Sequence, residues 1–498
     1  MKVGSSASGV FDSEVQSREQ SARVVVIGGG ISGLAAAHRL IETGPGVVPV
    51  VLEATDRPGG VLTTERRDGF LIDGSADSFI TTFPWAIDLC RRIGLGDELI
   101  GTSPQGRRAF VVHKGRLEPI PDGLLIMAPT RIGPMLRTPI LSVLGKLRMG
   151  CELFVPRGGG ADESLASFAT RRFGREAFDR LIQPLVSGMY TGDPSRLSVR
   201  ATLPRFLEME QSRGSLIRAM RSGQTMQGSG GKSGESSGSG ARYGLFVGLR
   251  DGMQQLVDGL VACLPAGSIR CGTRVEELRR KPDGRWEVAI DGPDPGVIEA
   301  DGVILATPSQ VAAALVRKSD PTLAGMLDGI TSTGCAVVSL GYRREQIGHA
   351  LDGFGFVVPI KENLPILSAS FASVKFEGRA PAGHVLIRVF VGGVKRPELL
   401  DADDATLQEI AIRELARLID ARGTPVLRHV NRWREVMPQY EVGHLDRVDA
   451  IEERVRSNGR LALAGNAYRG VGVPQCVRSG EQAADQILTQ LRPSATPG

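Results

Sequence analysis

The feature that most constrains this chain is a short β-branched run, Arg23–Ile27, that passes directly into Gly28-Gly29-Gly30-Ile31-Ser32-Gly33 and then into the alanine-rich segment Leu34–Glu42. A strand that turns on glycines into a helix is the front half of a βαβ unit. The glycines at 28, 30 and 33 have separate jobs in it. The first makes the tight turn, the second lets backbone approach a pyrophosphate, and the third lets the helix pack on the strand. The helix start then offers free N–H groups and the positive end of its dipole to the phosphates. A second apolar run, Val47–Leu52, ends at Glu53, 20 residues after Gly33. A carboxylate there is placed to accept hydrogen bonds from a ribose.

The residues that follow favour FAD over NAD. Glu53-Ala54-Thr55-Asp56-Arg57-Pro58-Gly59-Gly60, followed by Val61, has an E-x-x-x-R-x-G-G pattern. Arg57 beside a glycine doublet can reach the pyrophosphate from its other side; the plainer reading is a Pro-Gly-Gly turn. Near the other end, Leu461–Gly480 (LALAGNAYRGVGVPQCVRSG) runs from a strand through a glycine-rich loop towards a closing helix expected over Gly480–Leu491. That is a second helix start suited to an anion, here the ribityl chain or the flavin carbonyls. Strands from both chain ends are expected to share one sheet.

Composition narrows the alternatives. The 498 residues carry 60 Lys and Arg against 55 Asp and Glu, and no basic block with interleaved aromatics occurs, which argues against nucleic acid. Six cysteines stand at 90, 151, 263, 271, 335 and 476 without a C-x-x-C pair, and the six histidines are equally scattered. Neither pattern predicts a metal or a disulfide framework. No apolar run approaches the roughly 18–20 residues that span a bilayer, and the polar start of the chain lacks the apolar core of a secretory signal. Scattered thiols suit a reducing compartment, so a cytoplasmic location is expected, compatible with peripheral contact on the inner face of a membrane.

Four further stretches carry a resemblance. They are Leu185–Pro194 (LVSGMYTGDP) with Leu197-Ser198, Gly353–Pro359 (GFGFVVP), Met437–His444 (MPQYEVGH) and Gly465–Gly472 (GNAYRGVG). With the N-terminal motif and the strand end Leu305–Pro308 (LATP), the chain resembles the FAD-dependent amine oxidase superfamily. Within it, the chain is similar to the protoporphyrinogen and coproporphyrinogen oxidases over about residues 23–490. The superfamily motifs are widely shared, whereas PQYxxGH and GxYxGD are specific.

The resemblance implies FAD contacts at Gly28, Gly29, Gly30, Ile31, Ser32, Gly33, Glu53, Ala54, Arg57, Gly60 and Val61. It adds the turn Gly74-Ser75-Ala76-Asp77, where Ser75 and Ala76 depart from the usual residues. Val275 matches the adenine position, and Trp433, Val471, Gly472 and Val473 match positions near the isoalloxazine. Gln475 stands where many relatives are acidic. Val357, Leu367 and Phe390 are expected to line an apolar substrate pocket, each having plain core as its alternative. The implied reaction belongs to haem biosynthesis. Six electrons are removed from protoporphyrinogen IX or coproporphyrinogen III, with oxygen as acceptor giving hydrogen peroxide and the product passing to ferrochelatase. No catalytic side-chain base is named.

The expected fold is α/β: a Rossmann-like FAD-binding domain with an inserted α+β substrate domain and a mostly helical region. The expected organisation is a disordered extension at 1–22 and an FAD domain from 23–80, 245–320 and 440–491. A mostly helical membrane- or substrate-side region occupies 81–222, a Gly/Ser-rich flexible loop 223–241, and a substrate domain 321–439. Two other functions stay open on sequence. One is an amine oxidase or a carotenoid desaturase-like enzyme. The other is a non-catalytic escort protein built on the same fold.

Overall fold

The computed structural model describes residues 22–160, 162–221 and 245–492. The segment 223–241 and all but the last residue of 1–22 lie outside the described residues. The first strand, β1 (Ala22–Ile27), leads through the glycine loop into α1 (Ile31–Thr43) and returns as β2 (Val47–Leu52). β1 lies at the centre of a five-stranded parallel sheet, ordered Ile269–Arg270, β2, β1, Gly302–Leu305, Leu461–Leu463. Strands from the two chain ends therefore share one sheet. Buried on both faces, they read as continuous apolar runs rather than alternating ones.

One face of this sheet packs on α1, the helix Gln254–Cys263 and the long helix Val473–Leu491. The other face packs on a three-stranded antiparallel sheet, with Trp286 and Leu278 buried, and on the helix Pro321–Asp328, which Asp320 caps. Gly480 shows how tightly α1 and the C-terminal helix cross. A Cβ there would sit 2.1 Å from the Ser32 carbonyl oxygen.

A second, seven-stranded sheet holds the strands Ser332–Arg343, Gly355–Val357, Ile366–Phe371, His384–Gly392 and Leu427–Pro438, with Phe110–His113 and Arg116–Pro119 at one end. Its apolar face is covered by the amphipathic helix Asp404–Ile419, whose N-cap Asp403 accepts from the Thr406 N–H.

Two sequence expectations change here. Residues 81–222 are helical mainly beyond residue 132; before that, short strands occupy Leu99–Pro129. Phe110–His113 is fully buried, pairs in parallel with Gly355–Val357, and turns back through Lys114 and Gly115, both at positive φ, the turn geometry that suits a two-residue hairpin. The closing helix starts at Val473, not Gly480. Pro474 in its first turn marks that start, since proline's missing N–H costs nothing there.

Candidate active site

The residues expected to cradle a dinucleotide meet at the carboxyl end of β1. Glu53 is buried, 8% exposed. Its Oε2 accepts from the Gly29 N–H at 2.8 Å, and its Oε1 accepts from both the N–H and the hydroxyl of Thr55 at 2.8 Å. The carboxylate is thus pinned at the end of β2 with lone pairs to spare. Gly28 has φ +105°, and a Cβ there would approach the Ala306 carbonyl oxygen to 2.6 Å; a Cβ on Gly33 would lie 1.9 Å from the Gly28 oxygen. Gly30 differs from both, because a Cβ there would meet nothing within 4 Å. The first and third glycines are demanded by the chain itself, while the second borders open space.

From Gly30 a continuous line of contacts leads away from the sheet. Gly30 bridges to Gly59, and Gly59 N–H donates to the Gly29 oxygen at 2.8 Å. Arg57 donates to the carbonyls of Pro58, Leu62 and Gly60 at 3.1, 3.2 and 2.8 Å, so its guanidinium holds the Pro-Gly-Gly turn in shape. Ser75 Oγ donates to the Val61 oxygen at 2.5 Å. Trp433 Nε1 donates to the Gly74 oxygen at 2.8 Å, and Arg388 donates to the Ser75 oxygen. These contacts link the Gly28–Gly33 loop, the Pro58–Gly60 turn, the Gly74–Asp77 turn and Trp433 in series. Val275 lies two residues beyond Thr273, whose N–H donates to the Glu53 oxygen at 2.9 Å, which puts Val275 at the Glu53 end. Ala54 is exposed beside it.

The loop Gly465–Gly472 is held by PQYxxGH. The Tyr440 hydroxyl donates to the Asn466 oxygen at 2.6 Å and accepts from the Gly470 N–H at 2.7 Å. His444 stacks on Tyr440 with ring centroids 4.0 Å apart, and its Nε2 lies 2.8 Å from the Tyr468 oxygen. Burial pushes the Tyr440 phenol well up, so it stays neutral, and burial lowers the His444 pKa. The other specific stretch locks onto the same unit: Ser198 N–H donates to the Tyr440 oxygen at 2.7 Å, and Gln439 Nε2 donates to the Tyr190 oxygen at 3.3 Å.

These residues fit a bound FAD. Neither α1, starting after Gly30, nor the helix starting after Gly472, with Val471 and Val473 on either side, is capped by a side chain, so both helix starts can accept an anion or a carbonyl. Thr307 Oγ1, next to Gly28, and Gln475 Oε1, over the Gly470–Gly472 loop, are buried with no protein partner. Ile31 and Ser32 are buried at the start of α1. Among the described residues no cluster of His, Cys, Asp or Glu is arranged to hold a metal.

A mostly apolar cavity of about 330 Å³ is lined by Val357 and Phe390 together with Leu185, Met189, Phe246 and Lys375, the last of which pairs with Asp77. GMYTGD and GFGFVVP thus supply walls of the same cavity. Leu367 lines a neighbouring groove instead, with Thr191, Pro359 and Lys395. Its strand passes from the second cavity at Ile366 and Leu367 to the first at Ser368, across a register shift between Ile366 and Ser368.

Two site residues were not anticipated: Lys375 and Arg388, which both pair with Asp77, at 2.7 and 3.0 Å. Burial opposes ionisation of Asp77, but the two cations outweigh it and hold the carboxyl well below its usual range. Arg388 did leave a signal, as the one charge inside the otherwise apolar strand His384–Gly392.

Comparison with known proteins places the chain in a family. The family model for flavin containing amine oxidoreductases matches residues 31–488. The coproporphyrinogen III oxidase of Bacillus subtilis (strain 168) is 32% identical over 94% of this chain and 98% of its own length. The chloroplastic protoporphyrinogen oxidase of Nicotiana tabacum is 30% identical over 93% and 85%. A solved structure from Exiguobacterium sp. 255-15, provisionally named a protoporphyrinogen oxidase, superposes with a TM-score of 0.83 at 30% identity, covering 94% of this chain and 99% of its own. Cyclohexylamine oxidase from Brevibacterium oxydans shares the fold, with a TM-score of 0.67 at 16% identity over 95% and 99%. The chain belongs to the flavin containing amine oxidoreductase family and is an FAD-dependent oxidoreductase.

Proposed function

We propose that this enzyme oxidises a porphyrinogen to the porphyrin in haem biosynthesis, taking coproporphyrinogen III or protoporphyrinogen IX as substrate. The observation that carries the reading is the convergence of LVSGMYTGDP and GFGFVVP on one apolar cavity that adjoins the turn Gly74–Asp77. A porphyrinogen is a flexible apolar macrocycle with carboxylate arms, and such a ligand suits an apolar pocket with few polar groups. The relatives named above as coproporphyrinogen III and protoporphyrinogen oxidases support the same substrate class.

Bound FAD supplies a two-electron acceptor for hydride from a meso carbon. The protein's share is position and exclusion of water. Gly28–Gly33, Glu53, Ala54, Arg57, Gly60 and Val61 would hold the dinucleotide half, with Val275 on its adenine side. Gly74–Asp77, Trp433 and Val471–Val473 would frame the flavin ring. Val357 and Phe390 would line the pocket for the macrocycle, and Leu367 forms the outer side of the wall. Proton loss from a pyrrole nitrogen needs no side-chain base. Oxygen is the proposed final acceptor, yielding peroxide.

Anaerobic mixing of the holoenzyme with each porphyrinogen tests the reading. We expect bleaching of the flavin, and on admission of air, porphyrin fluorescence with matching peroxide. Bleaching by polyamines and not by porphyrinogens would overturn it.

The surface also favours a peripheral membrane contact. Among the described residues no helix is long and apolar enough to cross a membrane, yet Ile132, Leu136, Val143, Leu144, Leu147 and Phe154 are 52–81% exposed within one short segment. Arg131, Arg137, Lys146 and Arg148 stand among them, a combination that suits an anionic lipid surface. Co-sedimentation with anionic vesicles, lost on replacing Leu144 and Leu147 by Ser, would support this; equal recovery of both proteins in the supernatant would refute it.

A further inference from the structure

Beneath the apolar cavity lies a buried group of five charges. Asp73, Arg379 and Arg388 are each about 2% exposed or less, Asp77 is 9% exposed, and the Lys375 side chain is 14% exposed. Arg379 Nε is 3.6 Å from Asp73, and Arg379 also donates to the carbonyls of Leu249 and Arg250 at 2.7 and 2.9 Å. Asp77 is shared between Lys375 and Arg388. The count is three cations against two carboxylates. Asp251, the next acid outward, is occupied by Arg66 at 2.5 Å. An unbalanced charge in the interior is costly unless an anion completes it.

Lys375 is where that surplus reaches the cavity, and it is the only titratable side chain among the described residues that line it. Its ammonium lies 2.7 Å from Asp77 Oδ1 and 2.8 Å from Ser78 Oγ, over the rings of Phe246 and Phe376 at 5.6 and 5.2 Å. An ammonium has three donors, so one remains after these two bonds. We propose that Lys375 is a specificity-determining residue that recognises a carboxylate arm of the substrate from the floor of the apolar cavity. A bound carboxylate makes the count three against three, and the rings on either side keep water from competing for it. This rests on the porphyrinogen reading above and deepens it, because it names the group that separates an acidic macrocycle from a neutral one.

Titration of the holoenzyme with a porphyrin tetracarboxylic acid and with its tetramethyl ester, followed by porphyrin fluorescence in one detergent buffer, tests the proposal. In Lys375→Met, Asp77 keeps Arg388, so the remaining charges balance two against two. We therefore expect the variant to retain flavin and its wild-type melting temperature. Affinity for the acid should fall about 10- to 150-fold, the loss of one hydrogen bond between charged groups, with the ester unchanged within about twofold. Lys375→Arg should recover most of the affinity for the acid. Equal weakening of acid and ester, an unchanged affinity for the acid, or a Met variant that loses flavin or melts early would overturn the role of Lys375. Failure of the wild-type enzyme to bind either porphyrin would overturn the porphyrinogen reading itself, and that result is distinct from the others.

Discussion

Replacing Gly30 with alanine should remove FAD without harming the folded chain. Gly30 has φ −69° and ψ 175°, which any L-residue adopts, and its added Cβ meets no protein atom within 4 Å. A glycine-to-alanine change at a compatible position stabilises by about 0.4–1 kcal/mol through the unfolded state, so the apoprotein should melt at or slightly above the wild-type temperature. The cost falls on the ligand. A methyl group in the pyrophosphate's place forfeits bonds to a charged acceptor worth about 1.5–3 kcal/mol each. Losing two weakens FAD binding by about 3–6 kcal/mol, on the order of 10² to 10⁴ in Kd. Gly33→Ala is the contrast, since its Cβ would lie 1.9 Å from the Gly28 oxygen; it should destabilise the apoprotein by about 1–3 kcal/mol or more, the cost of overpacking. The assay is bound flavin per chain by absorbance, together with apoprotein melting. A Gly30→Ala protein that purifies with full flavin, or whose apoprotein melts as early as that of Gly33→Ala, would refute the assignment of that open space to the phosphates.

Three other outcomes are expected. Tyr440→Phe strands the Gly470 N–H, which costs about 1–3 kcal/mol; flavin retention and turnover should fall while circular dichroism is unchanged, and wild-type retention would show that the loop holds itself. Arg172→Met leaves the Glu152 carboxylate buried without a cation, still accepting from Ser215 Oγ and the N–H groups of Leu216 and Ile217, so chemical denaturation should record a loss of about 3–5 kcal/mol. Burial lowers the pKa of His444 below its ordinary 6.5, so the unfolded chain takes up the proton first. Its contribution to stability is then full above that value and declines as pH falls through and below it. Melting temperatures between about pH 8 and pH 5 should show this slope, reduced in His444→Asn; a slope of opposite sign would refute it.

What could be read in advance depended on sequence distance. The glycine turn, its helix and Glu53 lie within a few dozen residues and obey local rules of strand, turn and dipole. The strand Leu427–Pro438 escaped because its alternation is hidden by Arg428, Arg432 and Arg434. Those charges are tolerated at the sheet edge, where Arg432 and Arg434 pair with Asp404 and Asp401 at 2.8 and 2.6 Å. The motif PQYxxGH was visible as a string, but its work, two hydrogen bonds from one hydroxyl to a loop about 30 residues on, depends on the fold. The Asp77–Lys375 pair spans 298 positions, and no local pattern announces it. The placing of Val357 and Leu367 on opposite sides of a cavity wall needed the register of two neighbouring strands.

The sheet's order has a consequence for how the protein is made. β1 and α1 leave the ribosome well before the strand Leu461–Leu463 that completes the sheet and the helix whose Gly480 packs on Ser32, which come about 430 residues later. At a synthesis rate of about 5–20 residues per second, the apolar flank of α1 waits roughly 20–90 seconds for its cover. Cofactor capture thus waits for a chain made past Gly472, because the loop Gly465–Gly472 is needed to close the site. A nascent chain released before Gly465 would carry an intact glycine motif and still emerge colourless, with a hydrophobic helix face open to chaperones and proteases.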